Sequence, residues 1–523
     1  MAGSILGTRV LRREDRVLVT GGGAYADDLR PAGRLVARFV RSSLAHARIV
    51  GVDTSAAAAI PGVVAVHTAA TLGLGTVASR FPLDPHFDRP ALARDVVRFQ
   101  GEPIAVVVAE SAAAAADGVA AVDVELDPLP VVIDAEAHLA SGRAVLFPDR
   151  GSDVMVARPP SVDGLHDDDD IVVQARLLNT RMAVVPLECH AILAEPSAGG
   201  GLTLYVSTQG AHATRDGMAK SLGLDPADVR VVAPWVGGGF GAKGGWQVEH
   251  VVAAHLARAL GRPVAWKEER SENLVSMHAR EQLQYARLGL RDDGTITSLE
   301  VVIVANAGGY PGLGGLLPGA TRLMAQGTYR IPKIQVGYAT VATNKAPLGA
   351  FRGAGRPQAT FLLERLVDLA ARRLDIDPVA LRRRNLLAAE EFPLTTATGA
   401  KYDCGDYLRA LDTAVEVAGY NALRAEQAQR RERGDRHQLG IGVACYVEVT
   451  AGAGSTEFAS VEVQPNGRVT LRVGTASHGQ GHETTFAMIV ADRLGVSIDE
   501  VDFVQSDTAL VDHGGGTGGS RSA

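Results

Sequence analysis

The sequence has few of the residues that hold metals, disulfides or stacked bases. It contains three cysteines, Cys189, Cys404 and Cys445, which lie far apart and form no C-x-x-C pair. This spacing excludes an encoded disulfide framework, zinc site or iron–sulfur site and favours a reducing compartment. Aromatic residues make up only 5% of the chain, which argues against a stacking platform for nucleic acid bases.

Basic blocks and long apolar runs are missing as well. The net charge is -7, and no basic cluster is present that would follow a phosphate backbone, so nucleic acid is not expected as a partner. The N-terminal residues, MAGSILGTRVLRRED, contain no apolar leader, and no run has the length of a membrane span. These absences predict a cytoplasmic protein without a membrane span. The remaining composition, 46% hydrophobic and 21% charged, is typical of a globular chain with several domains.

Glycine, by contrast, is abundant, and six of the 59 glycines lie in one loop, residues 237–245. A β-branched run, Val229–Val232, precedes this loop, and an apolar helix is predicted to follow it at Gln247–Leu260. Such glycine density indicates that backbone approaches a ligand closely, and N–H groups at a helix entrance suit an anionic cofactor. A P-loop is excluded because Gly244 follows Lys243 where serine or threonine is required, and the dinucleotide-binding match is weak because four residues separate strand and loop.

A strand–loop–helix–turn–strand pattern occurs twice, at residues 203–232 and 470–504. Each copy enters a glycine loop, 237–245 in the first and 514–520 in the second. A helix is predicted after the first loop, whereas the sequence stops at Ala523 shortly after the second. We therefore expect the last domain to be incomplete.

The remaining segments predict an α+β chain. Residues 16–140 form one unit with a strand at Pro103–Ala109 and an Ala-rich helix at Ser111–Ala121. Further strands of this unit are predicted at Val17–Thr20, Leu35–Val40, Val122–Leu126 and Val131–Asp134. Residues 141–170 are predicted to form a linker in which Asp167–Asp170 is a solvated turn. Residues 382–385 are predicted to lie on a solvated helix face, and Ala422–Arg433 to form an exposed helix. His46 is predicted to be a hydrogen-bonded structural residue.

Several loops combine glycine with strong hydrogen-bonding groups, as expected for a large polar cofactor held by backbone. Together with flanking segments, these loops resemble the molybdenum-cofactor-binding large subunit of the xanthine dehydrogenase, aldehyde oxidase and carbon monoxide dehydrogenase family. The resembling segments run in order along nearly the whole chain: RSSLAHARI from Arg41, VRFQGEPIAVVVAES from Val97, LECHAILAEP from Leu187, TQGAH from Thr208, VGGGFGAKG from Val236, APLGAFRGAGRPQ from Ala346, GTASHGQGHE from Gly474 and GGTGGSRS from Gly515.

The resemblance implies a fold and a set of site residues. Residues 16–140 would be an α/β hammerhead domain, followed by a first molybdopterin-binding domain at 171–420 and an incomplete second one at 421–523. Gln209 would hydrogen-bond an oxygen ligand of molybdenum, and Arg352 would face the substrate and the pterin edge. The other implied cofactor-binding residues are Gly238, Gly239, Phe240, Gly241, His478, Gly479, Gln480, Gly481, Gly518, Gly519, Ser520 and Ser522.

The implied chemistry is the oxidation of an aldehyde or of an N-heterocyclic C–H bond, in which a hydroxyl group derived from water is transferred to the substrate. The metal would be held through the pterin, without protein ligands. Because the chain has no cluster-binding cysteines, iron–sulfur clusters and FAD would lie on partner subunits.

Three departures from the family pattern limit the substrates that we expect and the activity of the chain by itself. Gly353 stands where copper-using carbon monoxide dehydrogenases carry cysteine, and Gly244 stands where purine-oxidising relatives carry glutamate, so neither carbon monoxide nor xanthine is the expected substrate. The family's catalytic glutamate lies in a C-terminal segment that these 523 residues lack, so a separate chain would have to supply it. Loss of a general base typically lowers the rate by about 10²–10⁴-fold.

Two other functions remain open at this level. The chain would be an inactive truncated remnant or an assembly module if it keeps the fold without the cofactor. It would be a metallohydrolase if His478, His482, Glu483 and His513 bind zinc, although glycines at 479 and 481 disfavour a helical two-histidine face. Glu188 and Glu195 are expected to be structural, and Cys189 is expected to be a packed, unreactive thiol.

Overall fold

A computed structural model describes residues 4–81, 83–160, 165–450 and 456–522. Its helices are α1 (Arg13–Val19), α2 (Ser55–Ala58), α3 (Ala112–Ala121), α4 (Ala135–Ser141), α5 (Ala211–Leu222), α6 (Val248–Leu260), α7 (Arg270–Ser276), α8 (Leu313–Leu323), α9 (Arg356–Leu374), α10 (Pro378–Asn385), α11 (Tyr407–Ala418), α12 (Tyr420–Arg433) and α13 (His482–Leu494). None of these helices is long and apolar enough to cross a membrane.

The strands of the first half are β1 (Leu35–Arg41), β2 (Ala47–Asp53), β3 (Val63–Thr68), β4 (Thr76–Val77), β5 (Arg89–Pro90), β6 (Val96–Val97), β7 (Pro103–Ala109), β8 (Asp123–Pro128), β9 (Val154–Arg158), β10 (Ile171–Asn179), β11 (Met182–Ala183), β12 (Ala191–Pro196), β13 (Leu202–Val206) and β14 (Val229–Val232). The strands of the second half are β15 (Val264–Lys267), β16 (His278–Ala279), β17 (Gln282–Leu290), β18 (Ile296–Gly308), β19 (Lys333–Ala342), β20 (Leu394–Thr395), β21 (Lys401–Tyr402), β22 (Ala459–Val463), β23 (Val469–Val473) and β24 (Val501–Gln505).

A seven-stranded sheet joins the N-terminal unit to the region of the first glycine loop, in the order β14-β13-β12-β15-β1-β7-β3. The junction is the parallel pairing of β1 with β15, in which Leu35 lies opposite Val264. Helix α6 covers β12 and β15, and its buried Val251, Val252 and Leu256 complete one continuous apolar core. This apolar packing makes the sheet a rigid base for the loops that leave β13 and β14.

A second sheet has five strands in the order β10-β17-β18-β19-β9, and α9 packs on it through Leu362, Leu366 and Val367. Strand β9 belongs to the segment 141–170, so the predicted linker is partly ordered sheet, paired antiparallel with β19. Residues 161–164 of that segment lie outside the described residues. The pairing was not visible in the sequence because β9 and β19 are about 180 residues apart.

The predicted repeat is confirmed. In the first copy β13 and β14 are parallel neighbours joined through α5, and in the second copy β23 and β24 are parallel neighbours joined through α13. The two copies dock on one another, since the Ala233 N–H donates to the Ser506 carbonyl at 2.8 Å and Arg230 pairs with Asp507. The two glycine loops are therefore held on the same side of the molecule.

Two predicted strands of the N-terminal unit are wrong. Residues 17–20 end helix α1, because the Arg13 N–H donates to the Thr484 hydroxyl and the Glu14 carboxylate accepts hydrogen bonds from Thr484 on α13. Residues 131–134 form no strand, since Asn344 takes up the backbone hydrogen bonds of Val132 instead. Both errors come from tertiary contacts that override local β-propensity.

Two charged segments predicted to be solvated are buried in part. Asp169, whose side chain is 1% exposed, accepts hydrogen bonds from His166 and Ser298, so Asp167–Asp170 is not simply a solvated turn. Arg382 is fully buried and pairs with Glu364 and Asp368 on α9, both at 2.9 Å. A charge run in a sequence does not reveal which of its members has a buried partner.

The structure agrees with the predictions for His46 and for the exposed helix α12. His46 is 5% exposed, and its Nδ1 lies 2.6 Å from the Pro130 carbonyl oxygen. Helix α12 begins two residues earlier than predicted and carries an exposed face of arginine and glutamate.

Candidate active site

The first glycine loop has a backbone that few sequences tolerate. Gly238 and Gly241 have φ values of 94° and 104°, and Phe240 between them has φ 54°. A non-glycine residue in the left-handed region costs energy, so the fold must impose this conformation. The result is a Phe240 side chain that is 43% exposed at the top of the loop.

Gln209, at the end of the segment after β13, holds this loop from below. Its Oε1 accepts the N–H groups of Gly241 at 2.8 Å and Lys243 at 3.2 Å, and its Nε2 donates to the Thr517 carbonyl at 3.2 Å. These bonds settle which amide atom is oxygen and which is nitrogen. One Nε2 hydrogen is left over for a further acceptor. A Cβ at position 239 would lie 2.6 Å from the Gln209 Cδ, which explains the glycine there.

A buried ion pair lies beneath the same loop. Lys243 is fully buried, and its Nζ lies 2.7 Å from Glu188 Oε2, which also accepts the Gly237 N–H at 2.7 Å. Burial lowers the pKa of Lys243, and the Glu188 carboxylate opposes that shift. Glu188 is therefore structural, as expected. Cys189 is also consistent with a packed thiol, because burial raises its pKa.

The second glycine loop touches Gln209 directly. The Thr517 N–H donates to the Gln209 carbonyl at 2.9 Å, and the Thr517 hydroxyl accepts the Ala476 N–H at 3.1 Å. Gly518, Gly519 and Ser520 follow at once, so these predicted residues lie beside Gln209. Gly516 is needed for this approach, because a Cβ there would lie 2.3 Å from the Gln209 carbonyl oxygen.

Residues 343–355, between β19 and α9, form the loop that carries Arg352, and we call it the arginine loop. It contacts the first glycine loop on the side away from Thr517. The Arg352 N–H donates to the Phe240 carbonyl at 2.9 Å, and a Cβ at Gly241 would lie 2.8 Å from the Ala350 carbonyl oxygen. The Arg352 side chain is exposed and, within the described ranges, forms no ion pair. Its guanidinium is available for an acidic or polar ligand.

The loop of His478–Gly481 lies next to the second glycine loop through Ala476. Burial, reinforced by His482 and Lys243, lowers the pKa of His478 to about 4, so its ring is neutral at physiological pH. Gly479 and Gly481 have φ values of 120° and 82°, which lets this loop turn sharply into α13. The hydrogen bonds thus place Gln209, Phe240, Arg352 and Gly518 in one connected group, with His478–Gly481 at its border.

Unpaired backbone donors show what this group fits. Within the described residues no acceptor contacts the N–H groups of residues 238–240, 479–481 or 518–520. The buried Ser522 hydroxyl also lacks a partner there. Gly238, Gly239 and Gly481 are buried or half-buried, where a donor without an acceptor is costly. The other six residues are exposed, so their N–H groups are accessible to a ligand. Three runs of such donors around Gln209 fit a large ligand with several phosphate or oxo oxygens, as molybdopterin has.

The zinc alternative finds no support in the described part of the chain. No group of three histidine, cysteine, aspartate or glutamate side chains is arranged to hold a metal there. His482 faces the Thr475 hydroxyl at 3.2 Å, and His513 packs against the Phe458 ring with centroids 5.0 Å apart. These histidines therefore have separate structural roles.

Sequence reasoning missed Arg280 and the function of Lys243. Arg280 lies over the Phe351 ring at 5.0 Å and donates to the Arg352 carbonyl at 2.7 Å, so it supports the arginine loop. No motif indicates a residue that acts from 72 positions away. A lysine inside a run of glycines was a visible signal for a buried partner.

The fold defines the class of the protein, which has an N-terminal α/β domain followed by domains with two facing glycine loops. Comparison with known proteins agrees. Residues 20–130 match the aldehyde oxidase and xanthine dehydrogenase a/b hammerhead domain, and residues 152–386 and 413–523 each match the molybdopterin cofactor-binding domain.

Individual relatives extend this match along the whole chain. The chain is 37% identical to the 6-hydroxypseudooxynicotine dehydrogenase complex subunit gamma of Paenarthrobacter nicotinovorans, over 99% of this chain and 67% of the relative. It is 35% identical to the carbon monoxide dehydrogenase large chain of Hydrogenophaga pseudoflava, over 98% and 68%. Quinoline 2-oxidoreductase from Pseudomonas putida 86 superimposes with a TM-score of 0.92 at 35% identity, covering 98% of this chain and 68% of that one.

The chain belongs to the xanthine dehydrogenase, aldehyde oxidase and carbon monoxide dehydrogenase family of molybdopterin-dependent oxidoreductases. Its 523 residues span about two thirds of the length of these relatives. The family, the fold class and the enzyme class predicted from the sequence are thus confirmed.

Proposed function

We propose that this chain is the cofactor-binding part of a molybdenum hydroxylase that oxidises an N-heteroaromatic C–H bond or an aldehyde, with the hydroxyl group taken from water. The observation that carries the proposal is the set of unpaired N–H donors on three loops around Gln209. Molybdopterin supplies the metal centre and the redox chemistry when it is bound.

The residues of the chain supply binding and orientation. The N–H groups of residues 238–240 and of residues 518–520 would donate to the bound group, because Gln209 joins the two loops that carry them. Gln209 offers its remaining amide hydrogen to an oxygen of the bound group, because its Oε1 is already fixed by the loop. Phe240 provides an apolar surface, and Arg352 positions a polar substrate edge.

Two glycines bear on the substrate. Gly353 has φ 94°, and a Cβ there would lie 2.5 Å from Pro357, so the loop in this conformation does not accept the cysteine expected for carbon monoxide oxidation. Gly244 stands where purine-oxidising relatives carry glutamate, so this position provides no carboxylate that could bind a purine. The names of two relatives, which act on 6-hydroxypseudooxynicotine and quinoline, favour an N-heteroaromatic substrate over an aldehyde.

The proposal also includes partners. Iron–sulfur clusters and FAD would lie on separate subunits, consistent with the names "subunit gamma" and "large chain" among the relatives. The general base, a glutamate in the family, would come from polypeptide outside these 523 residues.

The test is purification from a host that makes the molybdenum cofactor, with and without the polypeptide encoded downstream. Molybdenum content and pterin fluorescence report binding, and quinoline hydroxylation in ¹⁸O-labelled water with a dye as electron acceptor reports chemistry. We expect molybdenum in the sample, and ¹⁸O in the product when the base is present. Molybdenum without turnover in either sample would favour the assembly module, and no molybdenum in either would contradict the proposal.

A further inference from the structure

Each of the two glycine loops is contacted at two points by a carboxylate of its own, Glu188 in the first loop and Glu457 in the second. Glu188 Oε2 accepts the Gly237 N–H and the Lys243 Nζ, both at 2.7 Å. Glu457 accepts the Gly515 N–H at 3.1 Å, and its Oε2 lies 3.0 Å from Arg521 Nη2. In both cases the carboxylate joins the first part of the loop to a cation near its end.

The two arrangements have the same spacing. The cation follows the bonded glycine by six residues in each loop, 237 to 243 and 515 to 521. The left-handed positions also correspond, since Gly238 and Gly241 match Gly516 and Gly519, all with positive φ. Each glutamate lies just before the strand that pairs with the repeat strand, β12 or β22. The shared spacing and the two corresponding left-handed glycines argue for one device used twice.

We propose that Glu188 and Glu457 are positioning residues, each of which bridges a loop glycine N–H and a cation six residues later and so sets the direction of the free N–H groups between them. In the first loop those groups are at residues 238–240, and in the second at residues 518–520. The effect of these donors on a bound cofactor rests on the function proposed above. The effect of the two carboxylates on the conformation of the loops does not depend on that function.

The chemistry explains why a carboxylate is needed. An amide oxygen can accept two hydrogen bonds as a carboxylate oxygen does, but it lacks the negative charge that balances a cation held away from water. In the first loop the ammonium of Lys243 is fully buried, and Glu188 is its ion-pair partner. Bonds of this charged kind are stronger than neutral ones and hold a backbone that the glycines alone would leave free.

The contacts at Gly237 leave no room for another arrangement. A Cβ at Gly237 would lie 2.6 Å from the Glu188 Cβ, and the Glu188 N–H donates to the Gly237 carbonyl at 3.0 Å. The backbones of the two residues are therefore already in contact, and the carboxylate reaches both loop donors without moving. Aspartate, one methylene shorter, keeps the charge but cannot span both contacts from this position.

The test is hydrogen–deuterium exchange of the whole protein, prepared without molybdenum so that loop geometry is measured apart from cofactor binding. In Glu188→Gln we expect the hydrogen-bonded amides of the loop, at Gly237 and residues 241–243, to exchange about tenfold faster or more, with α6 unchanged. Glu188→Asp should show a similar increase. Glu457→Gln should produce a smaller increase at the hydrogen-bonded amides of residues 515–517, because Arg521 is 17% exposed while Lys243 is buried.

Glu195→Gln is the matched control for the first loop, since Glu195 lies on β12 and makes no side-chain hydrogen bond in the described structure. Native exchange in Glu188→Asp would overturn the proposal, because charge alone would then suffice. Unchanged exchange in Glu188→Gln would overturn it too. Faster exchange in a protein that never binds molybdenum would support the device and contradict the proposed function, so the two failures are distinguishable.

Discussion

The two copies of the repeat have the same order of elements but different surroundings. In the first copy β12 pairs with strands on both edges and α6 covers it, so Ile192 and Ala194 are 1% and 0% exposed. In the second copy β22 pairs only with β23 in the described structure, and Val461 and Val463 are 49% and 64% exposed. Local sequence builds the unit, whereas neighbouring elements decide how much of its apolar surface is buried.

The largest difference is expected for equivalent core leucines. Leu204 on β13 and Leu471 on β23 occupy the same place in the two copies and are 0% and 3% exposed. Leu204→Ala should lower the free energy of local unfolding by about 3–5 kcal/mol, and Leu471→Ala by about 2–3 kcal/mol, because the smaller core relaxes more easily. Native-state hydrogen exchange of the strand amides measures both losses.

The exposed Val50→Ala serves as the control for that measurement, and it should change neither unit. Equal losses at the two leucines would show that the second core is as completely packed as the first, and the contrast between the copies would then be confined to the edge strand.

Acid should act more strongly on the first copy. Burial lowers the pKa of His190 and of His250 to about 3, with Lys243 adding to the effect on His190. Both rings are neutral in the folded state, while the unfolded chain binds protons near pH 6.5, so stability is complete above that pH and falls as pH decreases toward 3. Between pH 6.5 and 5 we expect a loss of about 2 kcal/mol for each histidine.

The second copy has a weaker acid dependence because His478, with a pKa of about 4, lies at a partly exposed position. Urea denaturation at pH 7 and pH 5, followed by exchange of β13 and β23, separates the two. His190→Gln should reduce the pH dependence of the first copy, and an undiminished dependence in that variant would contradict the assignment.

The next prediction concerns the contact between the copies. Gln209→Glu keeps an acceptor for the loop N–H groups but places a carboxylate oxygen against the Thr517 carbonyl in place of a donor. Molybdenum retention should fall by roughly 10–100-fold. Thr517→Val removes only the acceptor of the Ala476 N–H and should weaken retention about fivefold.

Metal analysis after gel filtration measures this retention. Gln429→Glu on the exposed side of α12 introduces the same chemical change away from the loops and should retain molybdenum normally. If the Gln209→Glu variant retained molybdenum as well as the unmodified protein does, Gln209 would not be part of the cofactor site.

The smallest effect is expected at the edge strand. Val461→Ser should change the stability of this chain by less than about 0.5 kcal/mol, because the side chain is half exposed. Ala194→Ser, at the corresponding buried position of β12, should cost about 1–3 kcal/mol. Thermal unfolding of the two variants gives the comparison. A large cost at Val461 when the downstream polypeptide is present would show that this partner covers β22.

The sequence was sufficient for the repeat, the glycine loops and the family, because these depend on local order: strand runs, helix patterns and glycines at regular places. The helices α3 and α6 were predicted within a few residues for the same reason. The placement of Gln209, Phe240 and Arg352 as site residues came from the resemblance and stays a prediction, which the loop contacts support.

Tertiary structure decided what no local pattern contains. Residues 17–20 became helical because of Thr484, and Arg382 became buried because Glu364 and Asp368 lie opposite. Glu188 and Lys243 are 55 residues apart. The lysine among glycines indicates a buried partner, but nothing in the sequence identifies that partner as Glu188. The glycines of 237–245 are an intrinsic property of the sequence. The carboxylate that holds them in one conformation is a consequence of the fold, because a glycine-rich backbone has too much conformational freedom to choose that conformation by itself.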